Sequence, residues 1–111
     1  MNQEQKDYIS LLNSSSENDI LIKKTGWEEI SLHAHSHEKY QIIYTLSGTL
    51  HIQIDSDSYF VPEKHIAWIP GDVIHEINSN NRQVSLVIFY FSPLCQPENI
   101  RTSSFCIYNT N

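Results

Sequence analysis

Histidines at alternate positions are the residues of this sequence best suited to chemistry. His33, His35 and His37 occur in the segment HAHSH. Alternate side chains of a β-strand share one face, so the three imidazoles are expected to point the same way. Gln41 keeps that parity, and His75 follows a Pro-Gly turn, from which it reaches the same interior if the strands pair in a barrel. The set His35, His37, Gln41 and His75 suits a divalent transition metal ion such as Zn, Ni, Fe or Mn.

The spacing alone leaves a second interpretation open. HAHSH is also compatible with a polar edge strand whose imidazoles are solvated and bind nothing. The amide of Gln41 argues against metal-dependent catalysis in either case. An amide oxygen is a poorer ligand than a carboxylate for a hard cation and brings no negative charge. It also takes up no proton near neutral pH, so it is a poor general base.

Short apolar runs that must position these residues begin at Ile20. They are rich in Ile, Val, Tyr and Phe, and turn residues such as those of Ser79–Arg82 separate them. Such runs without helical stretches between them predict an antiparallel barrel or sandwich. Val84–Phe91 is apolar on both faces and is therefore predicted to be a central strand. The predicted strands are Ile20–Lys23, Trp27–Leu32, Tyr40–Leu46, Leu50–Asp55, Ser58–Val61, Ile66–Ile69, Ile74–Asn78, Val84–Phe91 and Phe105–Tyr108.

The first 19 residues differ from the rest, because they are polar and carry apolar residues only at helical spacing. A short helix over Glu4–Leu12 is expected, followed by a flexible break over Asn13–Asp19, with the barrel formed by residues 20–111. A chain of 111 residues and 12.9 kDa is enough for one domain. No apolar run approaches the ~20 residues of a membrane span, and the start lacks a secretory signal. A cytoplasmic protein is expected, with Cys95 and Cys106 as free thiols.

The charge balance excludes some classes of partner. Thirteen acidic residues against seven basic ones give a net charge of -6, whereas domains that bind nucleic acid through its phosphates show a basic face. Direct nucleic-acid binding by these residues is therefore not expected. The sequence has no P-loop, no GxGxxG and no nucleophile with a histidine at a motif-like spacing. We expect no catalytic residue and no enzyme activity.

Two segments resemble the motifs of the cupin family. His35-Ser-His37, three residues, Gln41, six residues and Gly48 follow HxH–x3–E–x6–G, with Gln in place of Glu. The segment from Pro70 to His75 resembles PxGxxH, but its glycine lies one place early, at Gly71, and Asp72 holds the glycine position of the motif. HSHEKYQIIYTLSG, AWIPGDVIHEI and VIFYFSP together resemble the amino-terminal sensing domain of AraC-type transcriptional regulators, from about Leu32 to Leu94.

The resemblance implies a function as well as a fold. It implies an all-β, cupin-like double-stranded β-helix (a jelly-roll barrel) that binds a small-molecule effector and forms a homodimer. DNA would be bound through an attached helix-turn-helix domain that residues 1–111 do not supply, so the chain is the sensing half of a longer regulator or a stand-alone relative. AraC-type domains commonly keep the histidines without a working metal centre. A small metal-dependent cupin enzyme, such as an isomerase or dioxygenase, and a stand-alone metabolite-binding cupin are the alternatives.

The parity of the strand after HAHSH predicts the ligand-binding face. Ile43 and Thr45 follow Gln41 on the inward positions, so polar and apolar groups would share one concave surface. Trp68 lies two residues before Pro70 and is expected either at the mouth of the pocket or in the core. The full predicted ligand-binding set is His35, His37, Gln41, Ile43, Thr45, Trp68 and His75.

Overall fold

The computed structural model describes residues 3–14, 20–92 and 105–110, and side chains for residues 3–11 of the first segment. The predicted helix is present and continues through Ser14, two residues into the predicted break, while residues 15–19 and Cys95 lie outside the described residues. Cys106 carries a free thiol, as predicted. The elements are α1 (Gln3–Ser14), β1 (Ile20–Lys24), β2 (Glu28–His35), β3 (Tyr40–Ser47), β4 (Leu50–Ile54), β5 (Asp57–Val61), β6 (His65–Ile69), β7 (His75–Phe91) and β8 (Cys106–Asn109).

The strands form an antiparallel barrel of two sheets that share β7, as the all-β prediction required. The carboxyl-terminal half of β7 pairs with β1 and β3, and the sheet continues through β6 to β8. The amino-terminal half of β7 pairs with β2 and β4, and β5 pairs with β4. Val84–Phe91 is therefore a central strand, as predicted, because it has a neighbour on each side.

The prediction that Ser79–Arg82 separates two strands is wrong. These residues form an irregularity within β7, which continues for 17 residues from one sheet into the other. Asn80 and Asn81 adopt φ values of 53° and 64°, a left-handed conformation that asparagine tolerates better than most residues. The amide of Asn80 also donates a hydrogen bond of 3.0 Å to Oδ1 of Asn78. The polar residues thus bend the strand instead of ending it.

The inward positions of the strands fill the barrel with aliphatic side chains. In β3 the buried residues alternate as predicted, with Gln41, Ile43 and Thr45 inside. The core includes Leu50, Ile52, Val61, Ala67, Ile69, Ile77, Val84, Leu86 and Ile88. Each fully buried Leu, Ile or Val contributes roughly 1.5–3 kcal/mol through removal of apolar surface from water. Among the described residues, no helix is long and apolar enough to cross a membrane.

Candidate metal centre and adjoining cavity

Three histidines meet where β2 ends and β7 begins. The ring centroids of His35 and His75 are 4.4 Å apart, those of His37 and His75 are 5.2 Å apart, and those of His35 and His37 are 5.7 Å apart. One nitrogen from each ring lies within 4.8 Å of the other two, so the three side chains could hold a metal ion together. The predicted convergence of His35, His37 and His75 is confirmed.

His33 does not join them, although the alternation of HAHSH placed it on the same face. The pairing of β2 with β7 shifts register between Leu32 and His35. Because of this bulge, Leu32 and His35 both turn inward, whereas His33 is exposed. Its backbone carbonyl oxygen instead accepts a hydrogen bond from the His35 ring.

Hydrogen bonds to backbone carbonyls fix the tautomer of all three rings. Each Nδ1 faces the carbonyl oxygen of a residue two positions away, and an oxygen of this kind only accepts hydrogen bonds, so each Nδ1 carries the proton. Each Nε2 then keeps its lone pair, as in most metal-bound histidines. The Nδ1-to-oxygen distances are 2.7 Å from His35 to His33, 2.8 Å from His37 to Lys39 and 2.8 Å from His75 to Val73.

Burial keeps two of the rings neutral. The pKa of His75 is lowered from 6.5 to about 3, chiefly by burial and further by the neighbouring His35 and His37. Burial also lowers the pKa of His37, although its bond to the Lys39 carbonyl opposes the shift. Neutral imidazole is the form that binds metal ions. Among the described residues nothing hydrogen-bonds to the buried Nε2 of His75, so its lone pair is available to a metal ion.

Gln41 completes the cluster from β3. Its Oε1 lies 3.0 Å from Nε2 of His37, and both side chains are buried. Since Nδ1 of His37 carries the proton, its Nε2 has a lone pair, and the Gln41 amide can either donate to it through Nε2 or turn Oε1 toward a cation that both residues share. Three imidazole nitrogens and one amide oxygen suit a divalent transition metal ion. The residues present therefore fit such an ion.

The turn before His75 explains the misplaced glycine of the second motif. Asp72 adopts a φ of 65°, the conformation for which glycine is usually chosen, and its amide donates a bond of 2.8 Å to the carbonyl oxygen of His37. Gly71 packs so closely that an added Cβ would collide with the carbonyl oxygen of Glu38 and touch the ring of Tyr40. The glycine is needed one place early because two backbone segments, each carrying a histidine, meet there.

Three predicted ligand-binding residues are buried in the described part of the chain. Ile43 and Thr45 are both 0% exposed, Ile43 belongs to the core, and Thr45 Oγ1 donates to the carbonyl oxygen of Val61 at 3.2 Å. Trp68 is also buried, but on the other face of the sheet. The alternation of β6 turns the neighbours of Trp68 inward and Trp68 outward, where it packs against Tyr40 and Phe91.

An open cavity of about 510 Å³ lies instead between α1 and the barrel. His35 is the residue that the cavity shares with the histidine cluster. Helical spacing predicted α1, but nothing in that spacing indicated that this helix forms one wall of a cavity. Its apolar lining comes from β2 and β7 on one side and from α1 on the other, and includes Leu32, Ile77, Leu86, Ile88, Tyr90, Tyr8, Ile9 and Leu11.

The barrel and the histidines at its end define a cupin fold. Residues 21–103 match the model of the AraC-like ligand binding domain, and the chain belongs to that family. The HTH-type transcriptional regulator NimR of Escherichia coli (strain K12) is 29% identical over 68 residues, which are 61% of this chain and 24% of NimR. The chain thus spans about a quarter of the length of that relative.

Solved structures give the same fold. A cupin-2 domain containing protein from Shewanella frigidimarina has a TM-score of 0.58 and 21% identity, covering 76% of this chain and 88% of that protein. ToxT from Vibrio cholerae, solved with an unsaturated fatty acid bound, has a TM-score of 0.58 and 8% identity, covering 87% of this chain and 43% of ToxT. The resemblance to cupins and to AraC-type sensing domains is thereby confirmed.

Proposed function

We propose that this domain senses a small molecule that binds in the cavity between α1 and the barrel. The observation that carries the proposal is this cavity, whose volume of about 510 Å³ lies within the range of ligand pockets and whose apolar walls end at a few polar groups. Leu86 and Ile88 offer apolar contact, while Thr25, Gln5 and His35 offer hydrogen bonds. Ligand specificity in such pockets comes from a few placed polar groups.

The charges around the cavity favour one class of effector. Glu4, Asp7 and Glu29 contribute three carboxylates, whereas Lys23 contributes one ammonium group. A neutral or cationic molecule with an apolar body is therefore favoured over an anion. ToxT was solved with an unsaturated fatty acid, so such an acid belongs in any ligand screen as the anionic comparison.

We propose that binding is transmitted to a DNA-binding domain, as expected of a relative of an HTH-type regulator. A ligand held between α1 and the barrel binds better when α1 is docked. It therefore shifts the population toward the docked arrangement of α1. The arrangement of the homodimer, or of the attached domain, shifts with it. Such a shift requires only that the ligand bind the docked arrangement more tightly than the undocked one.

The histidine cluster is proposed as a site for a divalent transition metal ion, held by His35, His37, Gln41 and His75. The approach of one nitrogen from each of the three rings to within 4.8 Å of the others supports this part of the proposal, as does Nε2 of His75, which has no hydrogen-bond partner among the described residues. A bound ion would supply positive charge and Lewis acidity next to the cavity wall. Gln41 cannot accept a proton near neutral pH, so it supplies no general base beside the site, and we propose a binding role for the cluster.

A thermal-shift screen with a cavity-filling variant tests the sensing proposal. A ligand that binds only the folded protein raises its stability by about 2.7 kcal/mol at a hundredfold excess over Kd. Leu32→Trp places a large ring in the cavity and should remove the shift, whereas Leu46→Trp, on the exposed side of β3, should keep it. A ligand that stabilises both variants equally binds outside the cavity and contradicts the proposal.

A further inference from the structure

Two residues of α1, one helical turn apart, contact residues that support the histidine cluster. Gln5 is 6% exposed, and its Nε2 donates a bond of 3.1 Å to the carbonyl oxygen of His33. Tyr8 contacts Tyr90 of β7 edge to face, with ring centroids 5.7 Å apart. Positions 5 and 8 share one face of the helix. That face therefore packs against the residues that support the cluster.

Gln5 is linked to His35 through the backbone carbonyl of His33, to which both side chains donate a hydrogen bond. The oxygen of His33 accepts one bond from Nδ1 of His35 at 2.7 Å and another from Gln5. The Gln5 nitrogen is also 3.1 Å from Nδ1 of His35, but both nitrogens carry protons in this tautomer, so the two side chains are joined only through the His33 carbonyl. The helix thus holds the carbonyl that orients the His35 ring and keeps its Nε2 lone pair toward the cluster. Such outer partners commonly matter 10–100-fold for metal affinity.

Tyr8 is linked to His37 through Tyr90. Tyr90 is buried, hydrogen-bonds with Tyr8, and packs its ring at 5.5 Å and 78° against the ring of His37. The two routes from α1 therefore end on different histidines. An arrangement in which α1 leaves the barrel removes support from both His35 and His37 at once.

We infer that Gln5 and Tyr8 make α1 a positioning element of the histidine cluster, so that metal binding and the docking of α1 stabilise each other. The inference rests on the proposed metal site and adds its regulation. Linkage requires the coupling to be reciprocal, so the factor by which docking raises metal affinity is also the factor by which metal favours docking. Because α1 forms one wall of the cavity, the metal ion also favours effector binding.

Zinc titration of the whole chain by calorimetry tests the first half of the coupling. Gln5→Met keeps side-chain length and helix propensity but removes the donor, and Gln3→Met is the matched control. Gln3 is exposed and bonds only to Asp7 of the same helix among the contacts described, at 2.7 Å. We expect roughly a tenfold loss of zinc affinity in Gln5→Met, and wild-type affinity in Gln3→Met.

Amide hydrogen exchange of residues 3–11 tests the second half of the coupling, the effect of zinc on the docking of α1. If Gln5 had only a structural role, replacing it would not change how strongly zinc slows this exchange. Zinc added to metal-free protein should slow exchange in wild type and Gln3→Met by about the same factor, and much less in Gln5→Met. Tyr8→Phe, which keeps the ring and loses one hydroxyl, should show a smaller loss and provides a second variant if Gln5→Met folds poorly.

The outcomes separate this inference from the proposed function. Equal zinc affinity in wild type and both methionine variants, with exchange in α1 unaffected by zinc, overturns the coupling but leaves the metal site intact. Tighter zinc binding by Gln5→Met also overturns it, because Gln5 would then hold His35 in the wrong tautomer. A wild-type protein that binds no zinc overturns both the metal site and the coupling.

Discussion

Nε2 of His37 lies 3.0 Å from Oε1 of Gln41, and both side chains are buried. Neither group carries a charge at neutral pH, since burial lowers the pKa of His37 and the amide does not titrate. The cupin motif that this segment resembles has a carboxylate at position 41. The substitution keeps an oxygen at the cluster but removes its negative charge, and this difference can be tested directly.

Gln41→Glu is expected to raise the affinity for divalent metal ions. A carboxylate is a stronger oxygen ligand than an amide and offsets the charge of the ion, so we expect roughly a tenfold gain, about 1.4 kcal/mol, by calorimetric titration with Mn²⁺ or Zn²⁺. Gln83→Glu adds the same charge at an exposed position and should change the affinity little. Equal affinities for the two variants would mean that position 41 is no ligand.

Metal-free protein is expected to lose stability as the pH falls below 6.5. The folded protein holds His75 neutral down to a pKa of about 3, whereas the unfolded chain takes up the proton near 6.5. The unfolded state binds more protons across this window, so the free energy of unfolding falls with pH, by up to about 1.4 kcal/mol per pH unit from this residue.

Urea denaturation in EDTA at pH 7.0, 5.5 and 4.5 measures this loss. His75→Gln should show a shallower fall in the free energy of unfolding over the same range, because no imidazole is left to titrate at that position. Replacing the exposed His33 by Gln should leave the slope of wild type unchanged. A slope that is the same in all three proteins contradicts the assignment to His75.

Gly71→Ala is expected to destabilise the fold and weaken metal binding together. The added methyl group meets the carbonyl oxygen of Glu38 and the ring of Tyr40, so the segments that carry His37 and His75 must separate. We expect a loss of about 1–3 kcal/mol in urea denaturation, as for other overpacked sites. Gly26→Ala is the control, since nothing lies within 4 Å of a Cβ added there. Wild-type stability and zinc affinity in Gly71→Ala would be the contrary result.

Residues 1–111 are expected not to bind duplex DNA specifically. Their net charge of -6 repels phosphate, and the long-range attraction on which DNA-binding proteins rely is missing. Fluorescence anisotropy at physiological salt checks this expectation. Sequence-dependent binding at submicromolar concentration would contradict it and would require a basic surface that the composition does not offer.

Local spacing was enough to predict much of this protein. Period-two apolar runs gave the strands, because burial of one face repeats every second residue regardless of the partner strand. The motif spacing predicted that His35, His37, Gln41 and His75 lie together. The first three are close along the chain, and the turn at Pro70 brings His75 back to them.

The tertiary structure decided where regular alternation stops. The bulge that turns His33 outward depends on how β2 pairs with β7, and the irregularity at Asn80 exists because one strand serves two sheets. Neither pairing is encoded by nearby residues, since register depends on contacts between distant parts of the chain. The cavity likewise exists only once α1 lies across the barrel. The sequence by itself thus determined which side chains can form the histidine cluster, while long-range packing determined the outward face of Trp68 and the space for a ligand.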